Sequence, residues 1–412
     1  MQSGAKQDRA PERDKLFQKN NRLPWSYWTF TVGSTISNIG GMVQRVIVGW
    51  SVWELTHSAF WIGLVALVEL VPTILLSPLA GALLDRVNIR RLLIYTQLVG
   101  FTQAIVLMVA IRSGYDSLIL VFGMTAIFAV ANAFYGPGLV AIVPRLVRRD
   151  QLKDAISMNS ILANVSGLLA PMIAVQVQSL FGSGACYAIN AATYLVLLLI
   201  IPLTRISEQV SASGKENYVS SIKAGYLYIA KNSSLRLYIG SFAAVSFAAR
   251  SLTFLMPAIT AQMFGGGPKS LGILLFATAG GAVCGGILMK LEKRYSALSV
   301  MRVSTEASAL LLIGLILSPN VLFGAVVSFA LGVALACNSI STQTAIQVTV
   351  QEDFNGRVMS FFQMIFRAAP AFGSFIAGTL SAVFGLQIVE IGFAVLIGIC
   401  GIALHKEFSR TK

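Results

Sequence analysis

Residues 59–91 read AFWIGLVALVELVPTILLSPLAGALLDRVNIRR. The first part is an apolar run long enough to cross the ~30 Å hydrocarbon core of a bilayer as a helix, broken by one acid, Glu69. The end gathers Asp85, Arg86, Arg90 and Arg91 into a few residues, as a polar turn between two spans would. Working outward, apolar runs of similar length follow one another with short polar breaks. Spans are predicted near 27–54, 59–84, 91–112, 117–141, 152–178, 184–204, 235–263, 269–290, 297–318, 321–346, 358–382 and 385–405, an all-α membrane protein of twelve transmembrane helices.

The chain has 412 residues, 56% apolar and 12% charged, against about 25% charged in soluble domains. That leaves too little polar side chain to cover a water-facing surface, so the lipid bilayer is the expected outer solvent. The net charge of +14 raises nucleic-acid binding, whose footprint would be a basic stripe interleaved with aromatics. The positions argue against it. Lys and Arg gather on one alternating set of connections, while the opposite set holds Arg112 and Lys269. By the positive-inside rule the basic side is cytoplasmic, both termini lie inside and the span number is even. A bacterial inner (plasma) membrane and a monomer are expected.

Residues 1–23 are polar and charged, so the first span is expected to be an uncleaved anchor rather than a signal peptide. Trp25, Tyr27 and Trp28 open that span, and Trp50, Trp53 and Trp61 flank its far turn, as aromatic anchors at two interfaces do. Cys186, Cys284, Cys337 and Cys400 are scattered with no Cys/His ligand spacing, so packing thiols are expected and neither metal nor cofactor.

The longest connection is rich in Ser, Lys and Asn and divides the spans six and six. The expected organisation is a tail at 1–23, a six-helix bundle at 24–204, a cytoplasmic linker at 205–234, a second bundle at 235–405 and a tail at 406–412. Within the linker, Val219, Ile222, Tyr226 and Ile229 recur at helical spacing, which suits a helix lying on the inner surface. An offset of 205 residues brings Arg45 onto Arg250, Gly81 onto Gly286 and Asp150 onto Asn355. A shift by six spans keeps orientation, so the halves would be parallel, pseudo-symmetric repeats.

Gly81-Ala-Leu-Leu-Asp85-Arg86-Val-Asn-Ile-Arg90-Arg91 resembles the G-x-x-x-D-R-x-x-x-R-R/K signature of the major facilitator superfamily. Gly81 permits close helix approach, and Asp85 can accept from a helix N-terminus or pair with a loop arginine, a latch for one conformation. The plainer reading is that Arg86, Arg90 and Arg91 only set topology. The second copy has Lys290 where the first has Asp85, leaving Glu292 as an alternative acid. Leu55-Thr56-His57-Ser58 and Gly356-Arg357 resemble the efflux branch that includes macrolide exporters and the enterobactin siderophore exporter. The resemblance runs from Trp25 to about Ile402 and implies the superfamily fold and secondary transport without ATP hydrolysis. Span four lacks the arginine of drug/proton antiporters, and span five keeps only Gly167 and Ala170-Pro171 of the antiporter glycines.

Ionisable side chains inside hydrocarbon are costly and functional by default. Arg45 and Glu69 lie about nine and ten residues from the outer ends of their spans, roughly 14–15 Å deep at about 1.5 Å per residue, so a salt bridge between them is open. Glu69 would exchange a proton while Arg45 swings between it and substrate, or the two form a static pair. Arg250 would face substrate, because the resemblance places spans one, four, seven and ten around a cavity, and Arg367 joins the candidates. Glu306 is the one carboxylate of comparable depth, and Glu390, early in span twelve, is expected at the interface. Asn132 and Tyr135 in span four, and Asn338 and Gln343 within a polar run in span ten, would face the wet cavity.

With that resemblance, these residues point to an exporter of a small amphipathic solute such as a drug, siderophore or related metabolite, with proton antiport as a candidate coupling that the span-four and span-five departures do not favour. An importer or uniporter of the same fold fits the same topology. A membrane enzyme or receptor scaffold is the rival of another class, and no acid, base and nucleophile gather at one depth to favour an enzyme.

Overall fold

The computed structural model describes residues 23–84, 87–204, 218–291 and 295–411. Asp85, Arg86 and residues 292–294 lie outside that set. The described residues form helices α1 (Trp25–Thr56), α2 (Ala59–Leu84), α3 (Ile89–Arg112), α4 (Leu118–Leu146), α5 (Leu152–Phe181), α6 (Ser183–Leu203) and α7 (Tyr218–Lys231). Then follow α8 (Ser233–Ala248), α9 (Leu252–Phe264), α10 (Pro268–Leu291), α11 (Ala297–Ile316), α12 (Val321–Thr349), α13 (Glu352–Phe384) and α14 (Leu386–Thr411).

Local sequence explains where these helices start and stop. Asn88 caps α3 by accepting from the amides of Arg90 and Arg91, while Asn232, Ser296 and Asn320 cap α8, α11 and α12, satisfying amides that a helix start leaves open. His57 ends α1 in the left-handed region at φ 47°. Gly385 turns α13 into α14 at φ 80°, a conformation that favours glycine.

Ten of the twelve expected spans are long and apolar enough to cross a membrane by length and composition. The two that fall short in apolarity, α1 and α13, are the long helices of 32 and 33 residues, and they hold Arg45 and Arg367. Span seven is the clearest departure from the expected pattern. It is two helices, α8 and α9, separated by a turn at residues 249–251. There the amides of Ala249 and Arg250 both reach the carbonyl of Val245, and Thr253 donates to the Arg250 carbonyl. Helix α7 occupies the second part of the linker, and its Tyr228 stacks on Phe354 of α13 at 4.4 Å between ring centroids.

Helices α1–α6 pack as one group, with α1 and α3 against α6, and α8–α14 as another, with α12 between α10 and α11. Small residues set the close approaches. A Cβ on Gly281 would strike the Phe329 carbonyl, and one on Gly332 the Thr278 carbonyl, the interlocking expected where helices associate by packing rather than by exclusion of water.

Among the described residues the apolar cores of the halves join at one end. One apolar cluster joins Val43, Trp53 and Ile62 of the first half to Leu252, Leu274 and Phe393 of the second, at the end carrying the His57 turn. There α2 lies on α13 through Gly63 against Ser374 and Gly378 against Ala59, and α5 lies on α10 through Gly272 against Val175. At the opposite end, where α1 begins at Pro24, the core splits. Tyr27, Leu93, Ile142 and Ile201 cluster within the first half, and Leu235, Phe242, Met301 and Phe362 within the second. The two bundles are therefore sealed at the His57 end and parted at the Pro24 end.

Candidate functional site

Arg45 and Glu69 are brought together. The Arg45 Nε donates to both carboxylate oxygens of Glu69 at 2.8 and 3.2 Å, and Nη2 donates to Oε1 at 2.5 Å. The two side chains keep 46% and 21% of their surface accessible. Arg45 shares a helix face with Gly49, four residues on, and a Cβ on Gly49 would lie 3.5 Å from Pro257 of α9. Arg45 therefore points toward the second half, one turn below the seal. Glu69 lies between Ala66 and Leu70, which pack against Ala371 of α13. The pair is an accessible ionic contact at the seam between the bundles, not a charge buried in either core.

Behind it the first half holds a sealed polar layer that sequence reading passed over. Gln44 and Gln103 exchange amide hydrogen bonds at 3.1 and 3.0 Å, Asn190 donates to Gln44 at 2.6 Å, and Ser37 donates to Gln97 at 3.0 Å. Gln44 precedes Arg45, so this bonding fixes the helix face that presents the arginine. The signal was weak, because single amides 59 to 146 residues apart in the chain show no common period.

Arg250 sits at the break between α8 and α9. Its Nη2 donates to the Leu335 carbonyl at 2.5 Å and to the Ser339 hydroxyl of α12. Its guanidinium carbon lies 5.0 Å from the Phe366 ring centroid and 5.9 Å from that of Phe242, within cation–π range. No carboxylate among the described residues forms an ion pair with it. Glu306, the acid expected at comparable depth, is elsewhere: a Cβ on Gly401 of α14 would lie 2.9 Å from its Cγ.

The remaining candidates divide. Asn132 and Gln343 are partly accessible and Arg367 is exposed. The Tyr135 hydroxyl is buried beside Ser37 of α1. Asn338 departs from its expected place facing the cavity. It is fully buried and donates to Thr305 of α11 at 3.0 Å, so it joins two helices of one bundle. Of the Gly81 motif, Asp85 and Arg86 lie outside the described residues. Arg90 donates to the Thr204 carbonyl at the end of α6 at 2.7 Å, a tie within one half, and Arg91 is exposed. Glu390 also departs from expectation. It is fully buried rather than interfacial. Among the described residues no group of three or more His, Cys, Asp or Glu is placed to hold a metal ion.

Two bundles sealed at one end around paired and aromatic-backed arginines form a transporter architecture, and comparison with known proteins agrees. The family of transmembrane secretion effectors, within the major facilitator superfamily, matches residues 24–410. The chain belongs to that family. This secretion-effector-type transporter is 24% identical over 370 residues to macrolide efflux protein A of Streptococcus pyogenes, covering 86% of the chain and 89% of the relative. It is 24% identical over 366 residues to the staphyloferrin A transporter of Staphylococcus aureus, covering 87% and 90%. Its fold is similar to that of a solved nucleoside transporter, with TM-score 0.75 at 14% identity over 93% of this chain and 99% of that one. A bacterial homologue of the lysosomal transporter Spinster gives 0.73 at 14% identity over 95% and 98%. The chain is thus a multi-pass membrane transporter of the major facilitator fold and not an enzyme.

Proposed function

We propose that this transporter is a secondary exporter that carries a small amphipathic solute out of the cytoplasm by alternating access. The observation that carries the reading is the parting of the bundles at the Pro24 end beneath a sealed His57 end, with the accessible Arg45 at the seam. Among the described residues Arg90, Arg91, Arg145, Arg148 and Arg149 flank Ile89, Leu146 and Val147 of the Pro24-end cluster, and by the positive-inside rule a basic end faces the cytoplasm. The parted end then admits solute from inside. Arg250 backed by Phe242 and Phe366 offers charge and aromatic surface together, which suits a solute with a polar and an apolar part. The names of the macrolide efflux and staphyloferrin A relatives support drugs or siderophores as the class to test.

Coupling to protons would pass through Glu69. Substrate that draws Arg45 away leaves the Glu69 carboxylate without the partner it has here. Inside-out membrane vesicles given a proton gradient and a panel of macrolides and siderophores test the whole reading. Gradient-dependent uptake of at least one compound is expected. Uptake confined to right-side-out vesicles would make the protein an importer, and uptake indifferent to the gradient would remove the proton.

A further inference from the structure

We infer that the solute is an amphipathic organic anion whose carboxylate is held by Arg250 while its apolar part lies on Phe366. The inference narrows the substrate of the exporter reading and rests on that reading. A guanidinium carries five N–H donors and accepts nothing. At Arg250, Nη2 donates to the Leu335 carbonyl and the Ser339 hydroxyl, both uncharged. Nε is enclosed with no partner, and Nη1 also lacks one among the described residues but, unlike Nε, is not enclosed. The rings of Phe366 and Phe242 add cation–π attraction, which offsets only part of the cost of holding a full charge at membrane depth. What the site lacks is a negative charge.

In the first half the chain supplies that charge itself. Arg45, which the 205-residue offset brings onto Arg250, is met by Glu69 of α2. Helix α10 stands to α8 and α9 as α2 stands to α1, and it carries no acidic residue along its length. The carboxylates described elsewhere in the second half do not replace it. Glu306 lies against Gly401 of α14, and Glu390 is buried without a hydrogen bond. Glu352, Asp353 and Glu407 stand in the end turns of α13 and α14.

The site is open to a charge from outside the chain. Along α13, Phe362, Phe366 and Gly373 face α8, while Ala371, Ser374 and Gly378 face α2. With about 3.6 residues per turn, Gln363 and Arg367 fall between those two faces, on the seam between the bundles, and both are exposed. Phe366 keeps 38% of its surface accessible. Arg367 forms no ion pair among the described residues. Arg45 and Glu69 therefore cancel, while Arg250 and Arg367 leave the seam positive. An anion entering from the parted end is drawn by that field and finds at Arg250 a charge-assisted hydrogen bond with an aromatic face beside it. A cation is repelled at the same place.

The test uses purified full-length protein with Cys186, Cys284, Cys337 and Cys400 replaced and a single cysteine introduced as Gln363→Cys. Its modification by uncharged N-ethylmaleimide is timed in the presence of naphthylacetate, naphthylacetamide or naphthylethylammonium, which share one ring system and differ in charge. Naphthylacetate should protect at about tenfold lower concentration than the other two, the effect of a hydrogen bond between charged partners. Arg250→Gln should erase that difference, and the charge-preserving Arg250→Lys should keep it. Equal protection by the three compounds, or protection by none, overturns the anion site, and this comparison needs no Arg250 variant to fold. A preference for naphthylacetate that persists in Arg250→Gln overturns Arg250 as its holder. The measurement requires neither a gradient nor a direction. Selective protection without uptake into inside-out vesicles would remove the exporter reading and leave the anion site, whereas uptake with equal protection would remove the anion site alone.

Discussion

At the scale of single residues, the accessible Arg45–Glu69 pair makes two roles that depth arithmetic left open separable by mutation. An ion pair that keeps 46% and 21% of its side-chain surface is screened by water and contributes about 0–1 kcal/mol to stability. Its loss should therefore leave the protein folded. Glu69→Gln is expected to accumulate in the membrane as the native protein does while losing gradient-driven transport by tenfold or more. Transport at the native rate would remove the proton role. Failure to accumulate, repaired by adding Arg45→Met, would instead make the pair a structural clamp. Pairing was legible because both residues are single charges in adjacent spans at matched depth. The burial of Glu390 was not, since every face of a membrane helix is apolar and periodicity cannot distinguish lipid from core. Asn338 misled for the related reason that a polar side chain in a span satisfies itself equally in water or against another helix.

Among the elements, the seal depends on glycine where α2 and α13 cross. A Cβ at Gly63 would meet the backbone of Ser374 and Phe375, which cannot rotate away as a side chain does. Gly63→Leu should overpack this crossing by about 1–3 kcal/mol, with tenfold in the sealed-to-open ratio for each ~1.4 kcal/mol. Because the contact lies between bundles, neither bundle's own core is disturbed. The expected result is normal accumulation with a longer distance between labels at Leu55→Cys and Val383→Cys. An unchanged distance would show that the seal lies elsewhere. The break of span seven at residues 249–251 was hidden in sequence, for Ala249-Arg250-Ser251 contains neither Gly nor Pro. Backbone groups freed there are tolerable because the turn is buried in protein: Ala249 is 1% and Ser251 0% exposed.

For the whole molecule, the charge asymmetry makes the orientation testable. Arg112 and Lys269 should face outward, and Lys215 and the C-terminus inward. Single cysteines at Lys215 and Lys269 in intact cells, probed with an impermeant reagent, check it: labelling at Lys269→Cys alone is expected, and labelling at Lys215→Cys alone would invert the topology. By itself the sequence determined the helical membrane class, the transporter fold and where most of the apolar helices run. The class and the helices follow from local composition, because a bilayer demands ~20 apolar residues per helix and penalises each charge separately. Only tertiary structure decided which end is sealed, that Arg250 stands at a helix break against Phe242 and Phe366, and that Glu390 is enclosed. Each of these depends on which face of one helix meets which face of another, and a chain apolar on all sides carries no local record of that choice.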